Sequence, residues 1–334
     1  MLRSSLMVFL FLLAERIGHV YGSAGNFWTY RGTLGPDHWH LDYPHCGGIK
    51  QSPISIDTNQ VVVDTARLRP FVFEGYDDVR DINVTLENNG HTVQVDLNQK
   101  LSTVSGGGMR GTYIAQQYHF HWGSVDSRGS EHDINGVHYP MEMHIVHYNN
   151  IYANISEAMD KPEGLAVLGF FFEVKRYNPH FENIIFNFDR IRYRNLHTEI
   201  KNIPLIDLIP SSLTSYYRYL GSLTTPPCYE SVVWTLFNQT IEIAEEQLEQ
   251  FRKAIFNNDE SDGGVSMDIS DDFRPPQCLF HRKVYASHEA LKFNPNPVYQ
   301  PEVRNQNVND GSHGNRLKLT LSILFYCVIT NFVL

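Results

Sequence analysis

Runs of apolar residues with the spacing of β-strands most constrain the fold of this chain. Residues 165 to 172 are continuously apolar and end before Glu173, which favours a strand buried on both faces. Residues 92 to 97 alternate polar and apolar side chains, as in a strand with one buried face. Val232 to Phe237 is a further apolar candidate. The pattern therefore predicts several strands, some of them inside a sheet.

Helical spacing is much rarer than strand spacing. Glu245 to Phe256 places Leu248, Phe251 and Ile255 on one face of a helix. Many strands and few helices predict a fold of the α+β class, with a single domain built on a large sheet.

The composition excludes several classes of protein. The chain has 334 residues, 42% of them hydrophobic, and a net charge of -10. These values exclude a disordered, collagen-like or coiled-coil chain, and they allow a core large enough for one domain. Because no basic cluster offsets the acidic balance, we expect no nucleic acid among the partners.

The first residues resemble a targeting segment. Arg3 precedes an apolar run from Leu6 to Ala14, and small residues follow at Gly22 and Ser23. The run is too short to cross a bilayer, so we interpret residues 1–23 as a secretory signal peptide. The alternative is a buried N-terminal helix.

The C-terminal residues indicate a lipid anchor. Residues 317–334 carry no charged side chain after Lys318, and a polar stretch with small residues precedes them. This order is typical of a GPI-attachment signal, which is removed. Residues 294–316 are then a polar stalk, and residues 24–293 are the folded body. The alternative is a C-terminal transmembrane anchor that stays in place.

Sequons and cysteines agree with an oxidising compartment. The sequon asparagines, which are candidate glycosylation sites, are Asn83, Asn154 and Asn238. The chain has four cysteines, and Cys327 leaves with a GPI signal. One disulfide and one leftover thiol is the simplest interpretation of the other three.

A His-x-His segment is the strongest chemical signal. In a strand, Gln117, His119 and His121 share one face, and the two imidazoles lie ~6 to 7 Å apart, within reach of one metal ion. Glu142 and His144 share a face of a second candidate strand. If the two strands are neighbours, His144 supplies a third nitrogen.

Three histidine ligands predict catalytic zinc, because they leave one tetrahedral position open. Gln117 and Glu142 are placed to accept hydrogen bonds from the second nitrogens of the ligating rings. A lone His-x-His is more often a pair of ordinary half-exposed residues, but the third histidine and the two acceptors favour a Zn²⁺ site.

Several blocks of the sequence resemble the active-site blocks of the alpha-class carbonic anhydrases. These blocks are Gln51 to Ile54, Asn89 to His91, Gln117 to Ser124, Ser130 to His132, Glu142 to His147 and Leu223 to Pro227. They occur in the order and spacing of the family, between about Trp28 and Phe293. The two ends make the chain most similar to the secreted or GPI-anchored, membrane-bound forms.

The resemblance implies a mostly antiparallel twisted sheet with a conical zinc cavity, and it implies His119, His121 and His144 as zinc ligands. The implied activity is the reversible hydration of carbon dioxide to bicarbonate and a proton, by attack of a zinc-bound hydroxide. Thr224 would accept the proton of this hydroxide and donate its own to Glu131. The implied substrate pocket consists of Val146, Val167, Leu223, Thr225, Val232 and Trp234.

The resemblance also makes His91 the proton shuttle, with Tyr30, Asn89 and Gln94 ordering the intervening waters. Strict alternation contradicts this, because it places His91 on the face opposite Gln94. Both face one cavity only if the chain is irregular there, or if His91 precedes the regular strand. His132 and His147 are interpreted as structural residues.

Cys46 and Cys228 match the disulfide of secreted relatives. Cys278 departs from the family pattern and is either a buried inert thiol, which we favour, or a link to another chain. We expect the protein at the extracellular face of the plasma membrane, held by its lipid anchor. A bicarbonate or proton transporter and a second copy of the chain are further candidate partners. The rival functions are a binding module without activity and a different zinc hydrolase, such as an esterase.

Overall fold

The fold is described from a computed structural model that covers residues 27–97, 100–262 and 267–292. The predicted signal peptide (1–23), stalk (294–316) and hydrophobic tail (317–334) lie outside the described residues. Within the described part of the chain, no helix is both long and apolar enough to cross a membrane.

Strands dominate the described residues, as predicted. They are β1 Ser55–Ile56, β2 Val62–Val63, β3 Phe71–Glu74, β4 Asn83–Asn88, β5 Val93–Asp96, β6 Thr103–Gly106, β7 Tyr113–Trp122, β8 Asp133–Ile134, β9 Met141–Asn149, β10 Leu165–Val174, β11 His197–Lys201, β12 Tyr216–Gly221, β13 Val232–Ile243 and β14 Tyr285–Ala286. The α-helices are α1 Trp39–Asp42, α2 Ile155–Ala158, α3 Glu182–Ile185, α4 Leu205–Leu208 and α5 Glu245–Ala254.

One twelve-stranded sheet contains all of these strands except β1 and β8, which pair with each other. Its order is β11-β4-β5-β7-β9-β10-β13-β12-β14-β2, and β6 joins β3 to β7. Neighbouring strands of this sheet are antiparallel, except that β10 is parallel to β13 and β14 to β2. The prediction of an α+β domain with a large, mostly antiparallel sheet is confirmed.

The continuous apolar run forms β10 in the interior of the sheet. Its first eight residues, Leu165 to Phe172, are buried between β9 and β13. Gly169 makes room within this layer, because a Cβ there would lie 2.5 Å from the Cδ1 of Leu236 and 3.4 Å from the Oε1 of Glu142. The predicted strand with two buried faces is therefore confirmed.

The predicted long helix ends earlier than expected. Helix α5 begins at Glu245, and the side chain of Gln247 accepts a hydrogen bond from the backbone N–H of Ala244. At Ile255 the backbone is already extended (φ -119°, ψ 126°), and Phe256 pairs with Asp268 in an isolated bridge. The side chain of Ile255 is buried from an extended backbone rather than from a helix.

The cysteines are only partly as predicted. The disulfide Cys46–Cys228 is present and links positions 182 residues apart. The interpretation of Cys278 as a buried inert thiol is wrong, since its side chain is only half-buried.

The three sequons lie in different environments. Asn83 is exposed at the start of β4, and Asn154 is exposed at the N-terminus of α2, so both stay candidate glycosylation sites. Asn238 is only 1% exposed, and its Nδ2 donates to the Oγ of Ser215 at 2.8 Å. The prediction for Asn238 is therefore wrong, because the folded chain leaves no space for an oligosaccharide on that nitrogen.

His147 is a buried structural histidine, as predicted. Its Nε2 pairs with the hydroxyl of Tyr76, and its Nδ1 lies 3.2 Å from the carbonyl oxygen of Ala166, so both ring nitrogens are in use in the neutral form. Burial lowers the pKa of His147 to about 4.

We predict that His147 makes the fold less stable in mild acid. The folded-state pKa is below the unfolded value of ~6.5, so the unfolded chain binds more protons between these values. The free energy of unfolding should fall as the pH drops from 6.5 towards 4, in total by on the order of 3 kcal/mol. Urea unfolding in the presence of a chelator should show a weaker pH dependence for His147→Gln. The exposed His38→Gln variant should behave like wild type; identical slopes for all three proteins would contradict the assignment.

Candidate metal centre and active site

Two neighbouring strands bring the predicted metal ligands together. In the register of β7 and β9, His119 is opposite His144, His121 is opposite Glu142, and Gln117 is opposite Val146. The condition placed on the sequence prediction, that the two strands pair, is therefore met.

A β-bulge sets the phase of the ligand strand. The register shifts between Ala115 and Gln117, so Gln116 is an extra residue against β9. An odd number of residues separates Tyr113 and Ala115 from Tyr118, so in a regular strand they would lie on the opposite face. Because of the bulge, all three pack in the same hydrophobic core. The bulge therefore gives Tyr113, Ala115, Tyr118, Phe120 and Trp122 to one face of β7 and leaves the histidines on the other, where Ile114 also packs.

The three imidazoles converge on one point. Ring centroids are 5.1 Å apart for His119 and His121, 5.2 Å for His119 and His144, and 4.8 Å for His121 and His144. One ring nitrogen from each residue lies within 4.8 Å of those of the other two. The Nε2 of His119 and the Nδ1 of His144 are 3.3 Å apart.

The second nitrogen of each ring is held by an oxygen. The Nδ1 of His119 lies 2.9 Å from the Oε1 of Gln117, and the Nε2 of His144 lies 2.6 Å from the Oε1 of Glu142. The Nδ1 of His121 lies 2.7 Å from the carbonyl oxygen of Asp272. These contacts fix the ring orientations and point the Nε2 of His119, the Nε2 of His121 and the Nδ1 of His144 at a common centre.

The contact with Asp272 was missed by sequence reasoning. Asp272 follows His121 by 151 residues and meets it only because the loop after residue 268 returns to the end of β7. Its Oδ1 accepts the backbone N–H of Trp122 at 2.7 Å, which fastens this loop beside the ligand. No periodicity or motif around Asp272 signals this role.

Electrostatics keep two of the imidazoles neutral. Burial lowers the pKa of His119 and that of His144; the carboxylate of Glu142 opposes this without reversing it, and neighbouring imidazoles add to the lowering. For His121 burial also acts to lower the pKa, but the carboxylates of Glu131 and Asp272 outweigh it and raise the pKa. Glu142 keeps its charge, because His132 and His144 lower its pKa in spite of burial.

The residues present fit a metal ion. Among the described residues, the buried Nε2 of His121 has no hydrogen-bond partner, and neither has the Oε2 of Glu131, 3.5 Å away. This buried nitrogen faces the nitrogens of His119 and His144, so its lone pair is available to a cation. Three imidazoles without a thiolate suit zinc and leave a coordination position open.

A hydrogen-bond network holds Glu142 in place. His132 donates its backbone N–H to the Oε2 of Glu142 at 2.9 Å, and its Nδ1 lies 2.8 Å from the Oε1. The Nε2 of His132 lies 2.7 Å from the hydroxyl of Tyr219, which in turn donates to Ser52 at 2.8 Å. The structural interpretation of His132 is confirmed.

The predicted hydrogen bond from Thr224 to Glu131 is not formed among the described residues. Thr224 is buried in the turn between β12 and β13. The Oε1 of Glu131 accepts the backbone N–H of Arg274 at 2.9 Å, and the Oε2 has no partner. The carboxylate is thus turned towards Arg274 and His121.

Apolar side chains form a wall next to the imidazoles. Val146 is opposite Val167 in the sheet, and Val167 is opposite Trp234, whose ring centroid lies 4.8 Å from that of His144. The predicted apolar residues pack in one cluster, namely Val146, Val167, Leu223, Val232 and Trp234. Thr225 is half-buried in the turn after Thr224. His119 is partly exposed while His121 and His144 are buried, so the site opens on the side of His119.

His91 lies before the regular strand, which resolves the conflict with alternation. It belongs to a turn in which the Oδ1 of Asn89 accepts the backbone N–H groups of His91 and Thr92. Strand β5 begins only at Val93. The ring of His91 stacks on that of Trp28, with centroids 3.7 Å apart, instead of packing with the buried valines of β5.

The other predicted polar residues extend from His91 towards the imidazoles. The ring of Tyr30 is 6.4 Å from that of His91, and the Nδ2 of Asn89 donates to the Oε1 of Gln94 at 3.5 Å. Gln94 is directly opposite His119 in the sheet. Burial and the charges of Glu131 and Asp272 raise the pKa of Tyr30, so its phenol stays neutral.

The sequence of this chain is similar to those of known proteins. Residues 24–288 match the family model of the eukaryotic-type carbonic anhydrases. The chain is 37% identical to carbonic anhydrase 6 of Bos taurus over 84% of its length and 85% of the relative. It is 35% identical to carbonic anhydrase 12 of Homo sapiens (87% and 81% covered) and 38% identical to carbonic anhydrase 7 of Mus musculus (79% and 98% covered). The family match over most of the chain, around three converging imidazoles, means that this chain belongs to the eukaryotic-type carbonic anhydrases.

Proposed function

We propose that the chain hydrates carbon dioxide reversibly, forming bicarbonate and a proton, with a zinc ion held by His119, His121 and His144. The observation that carries this proposal is the convergence of three ring nitrogens whose opposite nitrogens are each fixed by an oxygen. When bound, zinc supplies Lewis-acid chemistry that makes a nucleophile from water at neutral pH. The three histidines left intact also favour an enzyme over an inactive binding module.

The chain's own residues would bind and orient the substrate. Carbon dioxide has no net dipole, so an apolar surface beside the imidazoles, formed by Val146, Val167 and Trp234, suits it. The backbone N–H of Thr224 would hold a substrate oxygen. The Oε2 of Glu131 has no partner among the described residues, so it could accept a hydrogen bond from the hydroxyl of Thr224 after a side-chain rotation, and Thr224 would then help to orient the nucleophile.

Protons would leave through His91. The ring nitrogens of imidazole exchange protons in the neutral pH range. Tyr30 lies near His91, and Gln94, which accepts a hydrogen bond from Asn89, is opposite His119 in the sheet. We propose that they order the waters of this path. The conical form of the cavity is part of the same proposal.

The location is proposed from the ends of the chain and from the disulfide. A disulfide such as Cys46–Cys228 is typical of an oxidising compartment. Together with the signal-like residues 1–23 and the GPI-like residues 317–334, it supports a lipid-anchored enzyme at the extracellular face of the plasma membrane, with Asn83 and Asn154 glycosylated. A transporter of bicarbonate or protons and a second copy of the chain are proposed neighbours.

We predict that His144→Ala removes zinc and nearly all hydration activity. The variant loses one of three nitrogens and leaves the charged Glu142 with His132 as its one remaining histidine partner. Metal analysis of the purified protein should give one zinc per chain for wild type and for the exposed-histidine control His38→Ala, but much less for His144→Ala. Stopped-flow hydration should follow the zinc content. Full zinc occupancy in the variant would remove His144 from the ligand set.

We predict that His91→Ala slows proton export without affecting the attack on carbon dioxide. The value of kcat contains the proton transfer, whereas kcat/KM reports only the steps through the release of bicarbonate. Stopped-flow measurements should therefore show kcat lower by roughly tenfold or more, and kcat/KM within about twofold of wild type. Added imidazole should restore much of kcat. Equal losses in both parameters that imidazole does not reverse would exclude the shuttle.

We predict that phosphatidylinositol-specific phospholipase C releases the mature protein from cells. A GPI signal is removed when the anchor is attached, so the mature chain should also lack Cys327. Immunoblotting of the medium and peptide mass spectrometry of the membrane fraction check both points. A peptide containing Cys327 in the mature membrane form would support a retained transmembrane anchor instead.

A further inference from the structure

A charged side chain packs directly on the turn that carries His91. The stem of Arg194 covers Gly90, since a Cβ on Gly90 would lie 2.3 Å from the Cδ of Arg194. Gly90 has a positive φ of 86°, so it is suited to this position for conformational as well as steric reasons. The charge of Arg194 is thereby carried next to His91, although the two residues are 103 positions apart in sequence.

The position of Arg194 is fixed from several sides. Its backbone N–H donates to the carbonyl of Asn258 at 3.1 Å, and the next residue, Asn195, donates to the carbonyl of Asn88 at 2.8 Å. The guanidinium donates to Asp259 through Nη2 at 2.6 Å and through Nε at 3.3 Å. The carboxylate of Asp259 also accepts from the Nδ2 of Asn195 at 3.1 Å. The ion pair is therefore held by loops that are tied to the turn before His91.

The surroundings of His91 disfavour its charged form. One face of the ring is covered by Trp28 in a nearly parallel stack, with 7° between the planes. Among the described residues, the charged group that acts on His91 is Arg194, whose guanidinium is paired with Asp259, and the nearby phenol of Tyr30 is neutral. Burial and, next, the charge of Arg194 lower the pKa of His91 to about 4. At neutral pH an imidazole in this position accepts a proton poorly, whereas a proton carrier works best with a pKa near the working pH.

We propose that the Arg194–Asp259 ion pair controls how readily His91 takes up a proton. The cation opposes protonation of His91, and the carboxylate weakens that opposition. Neither residue contacts the ligand histidines, so both act through His91 as positioning residues. The kinetic consequence rests on the proposed function, but the effect on the titration of His91 does not.

The direct test is the titration of His91 by NMR in zinc-loaded protein labelled at histidine, with the signal assigned by its loss in His91→Ala. Arg194→Gln should raise the pKa of His91 by roughly half a unit or more, because it removes a nearby like charge. Arg194→Lys keeps the charge and should titrate as wild type. Asp259→Asn should shift the pKa downwards. The matched control is Arg192→Gln. It removes a guanidinium that is paired with Asp189, at a position two residues before Arg194, and it should leave the titration unchanged.

Salt provides a second readout that a change of packing would not mimic. The side chains of Arg194 and Asp259 are 26% and 34% exposed, so their field is partly screened. The difference between wild type and Arg194→Gln should shrink when the ionic strength is raised to about 1 M, where the screening length is ~3 Å. An unchanged pKa of His91 in Arg194→Gln, or a shift of equal size in Arg194→Lys, would overturn the inference.

The kinetic readout separates this inference from the proposed shuttle. If His91 carries the proton, Arg194→Gln should raise kcat at pH 7 by roughly two- to threefold and leave kcat/KM unchanged. A shift in the titration with no change in kcat supports the ion pair's effect on His91 and counts against His91 as the carrier. If the pKa of His91 in Arg194→Gln equals that of wild type, the ion pair has no role. This conclusion holds even if His91→Ala lowers kcat and added imidazole restores it.

Discussion

The register in which β7 pairs with β9 from Gln117 to Trp122, after the bulge, is the constraint on which the site depends. Side chains alternate along a strand, so a shift of one residue would turn His144 to the opposite face of the sheet. The register is held because the other face of both strands is buried against the large core, with Tyr118 and Phe120 from β7 and Met143 and Ile145 from β9. The burial of these apolar groups thus determines where the three imidazoles meet.

Polar groups beneath the site would be costly to bury unless each had a partner. The chain His144, Glu142, His132 and Tyr219 meets this demand by linking each polar atom to the next, down to Ser52. Among the described residues, the Nε2 of His121 and the Oε2 of Glu131 have no hydrogen-bond partner and lie 3.5 Å apart, and the neighbouring Oδ2 of Asp272 and Nε of Arg274 have none either. The Nε2 of His121 is the one of these atoms that faces the ring nitrogens of His119 and His144, where a cation would bind.

The position of His91, at the edge of the site, is fixed by other interactions than those that fix the three candidate ligand histidines. Ladder hydrogen bonds fix the ligand strands, but His91 sits in a turn and is placed by ring stacking on Trp28 and by a surface ion pair behind Gly90. Stacking removes water from the ring, and the cation adds to the cost of charging it. The protonation of His91 is consequently sensitive to residues that never approach the ligands.

The sequence by itself predicted the strands and the face that each candidate ligand shares, because alternation is a local property. The two-sided burial of residues 165 to 172 and the shared face of Gln117, His119 and His121 follow from side-chain period alone, and the family blocks supply the pairing of Cys46 with Cys228. Tertiary structure decided what depends on residues far apart in the chain. The carbonyl of Asp272 meets His121, the carboxylate of Glu131 turns towards Arg274 instead of Thr224, and Asn238 is closed off by burial. The stacking of His91 on Trp28 and the packing of Arg194 on Gly90 also depend on residues far apart in the chain. Such contacts are made by loops whose paths follow from packing and hydrogen bonding across the whole sheet, and no local pattern encodes them.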